Sequence, residues 1–305
     1  MPSLNRRSLL AAGVASLAAR SLPAWAAAPH SFKHGAFEVM VVSDGHLVLP
    51  VSFLAPGAPE PERTELLTAA GQTAEQYQSP TNITLIRAGS DLILIDMGSG
   101  DRFMPTAGRQ WDNLKAAGID KDTITKVIFT HGHPDHLWGT VDELDDLMLP
   151  KAAYYVASGE WDFWQGDNAT QGLPAARAGF VTGARRNYAA IKDRVKMFKP
   201  GDDIVTGLRA IATPGHTQGH VSIELAGAQS LIVVGDALTH PLISFKHPEW
   251  RPTADHVPEV AAETRAKLLD RMAADKSKLI GFHLPYPGLG TVERNDAAYR
   301  FVPAA

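Results

Sequence analysis

The sequence predicts a mixed α/β fold, with sheets inside and helices outside. Strand-like runs alternate with helical patterns along the chain, and several of the strands are joined by tight turns. An internal echo adds to this. Residues 84–98 (TLIRAGSDLILIDMG) and 222–237 (SIELAGAQSLIVVGDA) each read strand, Gly-containing turn, continuous apolar strand, then Asp and Gly at the strand end, matching with a one-residue insertion. Two similar halves facing one another would deliver Asp96 and Asp236 to the same edge; two ordinary hairpins alike by chance is the competing reading.

The elements follow in order. Strands are expected at 37–42 (FEVMVV), 82–89 (NITLIRAG) and 91–96 (DLILID), where aliphatic and β-branched residues dominate between turn residues. A helix is expected over 107–118 (AGRQWDNLKAAG), with apolar residues at helical spacing. Strand 126–130 (KVIFT) leads through HGHPDH into a helix over 135–144 (DHLWGTVDEL), then strand 152–157 (AAYYVA) and a long helix over 175–195. Three strands, 208–214, 220–227 and 230–236, come close together, followed by a helix over 257–274 and a strand over 278–283 (KLIGFH). No Ser/Gly, Pro or charge-biased run separates two halves, so residues 29–305 read as one domain.

Residues 1–28 stand apart from that domain. Paired Arg6 and Arg7, an apolar run from Leu9 to Ala19 and the small-residue site Ala24-Trp25-Ala26 resemble a twin-arginine export signal, with cleavage expected near Ala26 or Ala28 and a periplasmic address. A membrane-anchored or frayed N-terminal helix is the alternative, but the run is too short to span a bilayer, and no stable membrane insertion is expected once the signal is removed.

Composition limits the function classes. Of 305 residues, 45% are hydrophobic and 20% charged, as in a globular protein with an ample core. There is no cysteine, hence no disulfide, no thiolate ligand and no cysteine nucleophile; any metal must be held by nitrogen and oxygen. The formal charge is −4, and loss of residues 1–26 removes three arginines and no acid, leaving −7. So acidic a chain without a basic tract is a poor nucleic-acid binder.

The chemistry concentrates in HGHPDH, residues 131–136. His131 and His133 follow a buried strand, so both imidazoles can leave the sheet edge together and grip one zinc-like ion. Pro134 favours a helix start, which sets Asp135 and His136 in the first turn, facing a second position beside the first. A helix cap with incidental histidines would account for Asp135 alone, but not for three histidines at this spacing. Further ligands stand at other strand ends: His216 in a Pro-Gly turn, Asp236 after IVVG, and His283 after LIGF. A carboxylate can bridge two cations and an imidazole nitrogen cannot, which makes Asp236 the candidate shared ligand.

With these residues in view, the chain resembles the metallo-β-lactamase-fold hydrolases, which carry HGHPDH, PGHTQGH, the GD strand end and the late histidine in the same order. The resemblance implies an αββα sandwich with a dinuclear metal site at one edge of two facing sheets. It also implies that one ion takes His131, His133, His216 and Asp236, and the other Asp135, His136, Asp236 and His283. VVSDGHLVLPV (41–51), residues 89–119, YPGLG (286–290) and YRFVP (299–303) resemble the methyl parathion hydrolase group within that superfamily. Two features depart from the pattern: Trp138 stands where that group commonly has a small residue, and Thr239 where quorum-quenching lactonases usually carry a tyrosine.

The expected function is therefore that of an exported hydrolase with two divalent ions, zinc by expectation, in which a water activated between the ions cleaves aryl esters or organophosphate triesters. Lactone hydrolysis, N-acyl homoserine lactones included, is the alternative; β-lactamase activity and a periplasmic metal-binding protein without catalysis follow. Asp135 and Asp236 are the expected catalytic carboxylates. Phe103, Trp138, Trp164 and Phe180 are expected around a small-molecule substrate, with core packing as the plainer account of each. Asp96 and His220 are candidates to support the ligands by hydrogen bonding, with an ordinary strand-end turn aspartate and a buried, satisfied histidine as the competing readings. A homodimer is compatible with the sequence. The other histidines are read as surface or turn residues.

Overall fold

A computed structural model of the chain describes residues 28–73, 75–171 and 177–304. The expected export signal thus lies outside the described residues, save Ala28. Among the described residues no helix is long and apolar enough to cross a membrane.

Two seven-stranded sheets form in sequence. The first runs β1 (His30–His34), β2 (Phe37–Pro50), β3 (Gln76–Ala88), β4 (Asp91–Ile95), β5 (Lys126–Ile128), β6 (Ala153–Ala157) and β7 (Val195–Phe198), each beside the next. The second runs β8 (Asp203–Val205), β9 (Leu208–Ala212), β10 (Val221–Leu225), β11 (Leu231–Val233), β12 (Lys278–Ile280), β13 (Leu289–Asn295) and β14 (Ala298–Pro303), again each beside the next. The helices are α1 (Val51–Leu54), α2 (Glu60–Ala69), α3 (Gln110–Ala116), α4 (Pro134–Leu137), α5 (Ser158–Gln165), α6 (Ala178–Ile191), α7 (Ile243–Lys246) and α8 (Pro258–Asp275).

The core has three layers of side chains, which explains the continuous apolar strands. In β4, Leu92 and Leu94 face outward onto Leu114 of α3 and Val181, Tyr188 and Ile191 of α6. Ile93 and Ile95 face inward, between the sheets, with Val221, Ile223 and Val233 of the second sheet. Ile232 and Leu279 on the far face of that sheet meet Leu268, Leu269 and Met272 of α8 and Phe245 of α7. A strand buried on both faces has no polar alternation to show. Each such aliphatic side chain contributes about 1.5–3 kcal/mol by burial. The arrangement is the αββα sandwich the sequence led us to expect.

The echoing hairpins, β3–β4 and β10–β11, lie near the middle of their respective sheets, and each is followed by a parallel neighbour, β5 beside β4 and β12 beside β11. Parallel neighbours end on the same side. Ile95 pairs with Ile128 and Val233 with Ile280, so the segments that follow carry Asp96, His131, Asp236 and His283 to one edge. The Val221 amide donates to Thr130 O at 3.1 Å, tying the sheets together there.

Several expectations change. The helix expected over 135–144 stops at Leu137 and passes into a 3-10 turn over Trp138–Thr140. A Cβ on Gly139 would stand 2.0 Å from Met97 O, so the backbone must come down onto the 97–98 segment, where Gly139 N reaches Gly98 O. Strands β1, β7, β8, β13 and β14 and helices α1, α2, α5 and α7 went unread; β13 and β14 carry polar, exposed residues on one face that blur the strand signal.

Candidate metal centre

All seven expected ligands converge. His131, His133, His216 and Asp236 form one group and Asp135, His136 and His283 a second, the donor atoms of each lying within 4.8 Å of one another, and every residue is buried. Asp236 joins the two. Its Oδ2 lies 3.1 Å from His216 Nε2, 3.9 Å from His131 Nε2 and 3.3 Å from His283 Nε2, while its Oδ1 lies 3.1 Å from His136 Nε2. Asp135 Oδ2 is 3.2 Å from His283 Nε2 and 3.6 Å from His136 Nε2.

Each histidine turns one nitrogen inward and has a partner for the other, which fixes its orientation. His131 Nδ1 meets Thr130 Oγ1 at 3.1 Å and His136 Nδ1 meets Asp96 Oδ2 at 2.7 Å. His216 Nδ1 meets Asp255 Oδ1 at 3.0 Å, and His283 Nδ1 meets Pro80 O at 2.8 Å. His133 is reversed: Nδ1 faces inward, 2.8 Å from His216 Nε2, and Nε2 meets His256 Nε2 at 2.9 Å. Asp96, at φ +64°, also accepts from Thr130 N and Oγ1. The two echoing carboxylates thus flank one ring: Asp96 is hydrogen-bonded to His136 Nδ1, and Asp236 Oδ1 stands beside Nε2. Buried His220 is satisfied within the turn: its Nε2 accepts from the Asp236 amide at 3.0 Å, and its Nδ1 is 3.0 Å from Thr213 O.

The donor set fits two divalent cations. His131 Nε2, His136 Nε2, Asp135 Oδ2 and Asp236 Oδ1 are buried without a hydrogen-bond partner and point into the same space, a costly arrangement unless a cation fills it. Burial alone would raise the Asp236 carboxyl; His283, His136 and His216 outweigh it and hold it well below the carboxylate range. Conversely, burial lowers His216 and His283, but Asp236 and its companion carboxylates lift them to about 9 and about 10. Burial and neighbouring histidines keep His131 and His133 low. The carboxylates therefore call for positive charge, and among the described residues no lysine or arginine is paired with Asp135 or Asp236. Oxygen and imidazole donors without thiolate suit zinc and its first-row neighbours.

The clusters open onto a narrow cleft of about 80 Å³, with Leu47, Leu49, Phe53, Leu54, Phe103 and Phe180 on its apolar side and Ser79, Arg177 and Thr239 among its polar groups. Phe103 and Phe180 are thus on the wall, edge to face at 5.9 Å. Trp138 and Trp164 are not, which corrects the reading of both as pocket residues. Trp138 stands behind the pair, edge-on to Phe103 and pressed against Gly183 of α6. Trp164 is fully buried beneath the ligand loop and donates from Nε1 to Glu160 Oε1. A Cβ on Gly132 would meet that indole nitrogen at 2.4 Å, which accounts for the glycine between His131 and His133.

Other residues of the site escaped sequence reading. Asp255 links His216 to the buried Arg265, whose guanidinium lies 3.3 Å from Asp255 Oδ2 and also donates to Pro248 O and Trp250 O. His256, read as a surface residue, packs against His133. His240 is buried, and its Nδ1 accepts from Leu242 and Ile243 amides at the start of α7. None of these has a local motif.

Comparison with known proteins agrees with the geometry. The chain is similar to a dizinc quorum-quenching lactonase, AidC, solved with its product N-hexanoyl-L-homoserine: TM-score 0.86 at 26% identity, over 91% of this chain and 98% of that one. It is similar to the hydrolase AbOPH of the beta lactamase superfamily, with TM-score 0.84 at 29% identity, over 92% and 98% of the two chains. An uncharacterized protein of Mycobacterium leprae is 28% identical over 171 residues, 55% of this chain and 72% of that protein. The Metallo-beta-lactamase superfamily model matches residues 77–283, from the start of β3 through the last candidate ligand. With the sandwich, the two clusters and this match in agreement, the chain belongs to the metallo-beta-lactamase superfamily.

Proposed function

We propose that the chain is a dinuclear metal-dependent hydrolase of small esters with a slender apolar acyl group, lactones foremost. One observation carries the reading: the Asp236 carboxylate touches histidines of both clusters at the floor of an apolar cleft. Two divalent ions bound there would supply Lewis acidity and a water acidic enough to act as nucleophile near neutral pH. Asp236 would be shared between them. Asp135, which belongs to the second cluster and lines the cleft, orients the attacking water and accepts its proton. Water's oxygen bonds to the acyl carbon, the ester C–O bond breaks, and the leaving oxygen takes up the proton from Asp135, which returns to its carboxylate form.

The shape of the cleft supports one ester class over the others. Its space is well below the roughly 300–1,000 Å³ of sites that enclose drug-sized ligands, and its walls add Leu47, Leu49 and Leu54 to the aromatic pair. A flexible chain threads such a slot more readily than a fused bicyclic ring. N-Acyl homoserine lactones meet this description, and the structurally similar lactonase was solved with the product N-hexanoyl-L-homoserine. Aryl esters and aryl phosphotriesters are the second reading, supported by the edge-to-face pair Phe103 and Phe180, against which a flat leaving group can pack.

The test is a hydrolysis screen on metal-replete protein. Acyl lactones of increasing chain length, aryl esters, an aryl phosphotriester and a β-lactam are compared by kcat/KM. Lactone and ester turnover rising with chain length is expected; β-lactam preference, or no turnover by fully loaded protein, would refute the proposal. We also propose that Arg6 and Arg7 direct export of the folded chain to the periplasm. Replacing both with lysine should abolish its appearance in the periplasmic fraction, and undiminished export would refute the twin-arginine reading.

A further inference from the structure

The first cluster takes its histidines from two separate loops. His131 and His133 follow β5 in the first sheet, and His216 lies in the turn between β9 and β10 in the second. One buried carboxylate spans both. Glu160, in the first turn of α5 and 1% exposed, accepts at Oε1 from Gly132 N (2.8 Å) and Trp164 Nε1 (2.5 Å). At Oε2 it accepts from Thr217 Oγ1 (2.6 Å) and Gly219 N (3.1 Å). Gly132 lies between two ligands of one loop, and Thr217 follows the ligand of the other. Four donors satisfy both oxygens, the arrangement that suits a carboxylate acceptor, and among the described residues no lysine or arginine is paired with it. The fit is close: a Cβ on Gly219 would stand 2.0 Å from Glu160 N.

We propose that Glu160 is a positioning residue that sets the separation of the two ligand loops, and with it the affinity of the cluster His131, His133, His216 and Asp236 for its ion. The cluster Asp135, His136 and His283 takes nothing from the β9–β10 turn, so it depends on Glu160 far less. This inference rests on the dinuclear reading above. A glutamine at 160 keeps the shape and turns an amide NH₂ toward donors. Facing Oε2's partners, that NH₂ can be accepted by the Thr217 hydroxyl, but the Gly219 amide then has no acceptor. The turn that holds His216 is the one released.

The experiment titrates metal-free protein with Co²⁺ alone, read by calorimetry and visible absorption, with thermal melting of the same samples. Wild type should take up two ions. Glu160→Gln should bind one ion as wild type does and the other about 10–100-fold more weakly, the usual loss when support behind a ligand is removed. Thr217→Val removes one donor but keeps the carboxylate, and should show a smaller loss at the same site; it decides the matter if Glu160→Gln does not fold. Leu225→Ala, a buried core change at the end of β10 away from Val221, controls for general destabilisation and should leave both affinities unchanged. Wild-type affinities in both Glu160→Gln and Thr217→Val, or equal weakening of both ions in proportion to melting temperature, would overturn the proposal. A wild-type chain that binds no ion would instead overturn the metal reading on which it rests.

Discussion

Replacement of Asp255 separates two contributions that the structure places on one side chain. Its Oδ1 meets His216 Nδ1 at 3.0 Å, and its Oδ2 lies 3.3 Å from Arg265, which is 1% exposed. Asp255→Ala leaves that guanidinium buried beside the Pro248 and Trp250 carbonyls, without its hydrogen-bonded carboxylate. Removing one partner of a buried ion pair costs about 3–5 kcal/mol. At roughly 2 °C per kcal/mol for a domain of this size, melting should fall by about 6–10 °C. Independently, His216 loses the acceptor that orients its ring, and ion affinity at the first cluster should drop about 10–100-fold, or about 1.4–2.7 kcal/mol. The double variant Asp255→Ala/Arg265→Met removes the stranded charge, so it should regain most of the melting temperature and none of the affinity. Calorimetric metal titration beside thermal melting gives both numbers. If the double variant also regained wild-type affinity, the link from Asp255 through His216 to the metal would be wrong.

Other outcomes follow from the same geometry. Elemental analysis of metal-replete protein should find two divalent ions per chain; Asp236→Ala should reduce occupancy at both clusters and His283→Ala chiefly at the second, and full retention by Asp236→Ala would refute a shared ligand. Trp164→Ala should lower stability by about 3–5 kcal/mol through lost packing and the loss of its bond to Glu160, measured by denaturant titration, whereas a KM change alone would return Trp164 to the substrate wall. Phe180→Ala should raise KM for long-chain acyl lactones more than for short ones, because only the longer chains reach the wall it forms; equal changes would remove it from the acyl site. Chelation of the metal should lower the melting temperature, and restoring Zn²⁺ should recover it, by about 2.7 kcal/mol where free ion exceeds Kd a hundredfold.

The site was legible where chemistry and chain order coincide. Residues 131–136 carry four ionisable groups in one short loop, and Asp236 and His283 each follow an apolar run that reads as a buried strand. Those signals are local, and β4, β5, β11 and β12 bring them to one edge. Glu160, Asp255 and His256 gave no such signal. A glutamate in a helix's first turn is ordinary, and what makes this one unusual is its contact with Thr217, 57 residues away. His256 meets His133 across 123 residues. Trp164 misled for a related reason: an aromatic residue reads alike whether it lines a cleft or lies under one, and only its indole bond to Glu160 tells which. The terminal strands β13 and β14 carry a weak strand signal because many of their side chains face solvent.

Each candidate cluster draws on both sheets. His131 and His133 come from the first and His216 and Asp236 from the second; Asp135 and His136 come from the first and His283 from the second. Neither half of the molecule on its own contains a complete cluster. An ion bound here works as a clasp across the seam: it opposes separation of the two sheets while leaving the fraying of any single hairpin untouched. Metal loading should therefore slow global opening much more than local opening, protecting the amides of β4, β5, β10 and β11 against hydrogen exchange and leaving those of β1 and β14, at the outer edges, as they were.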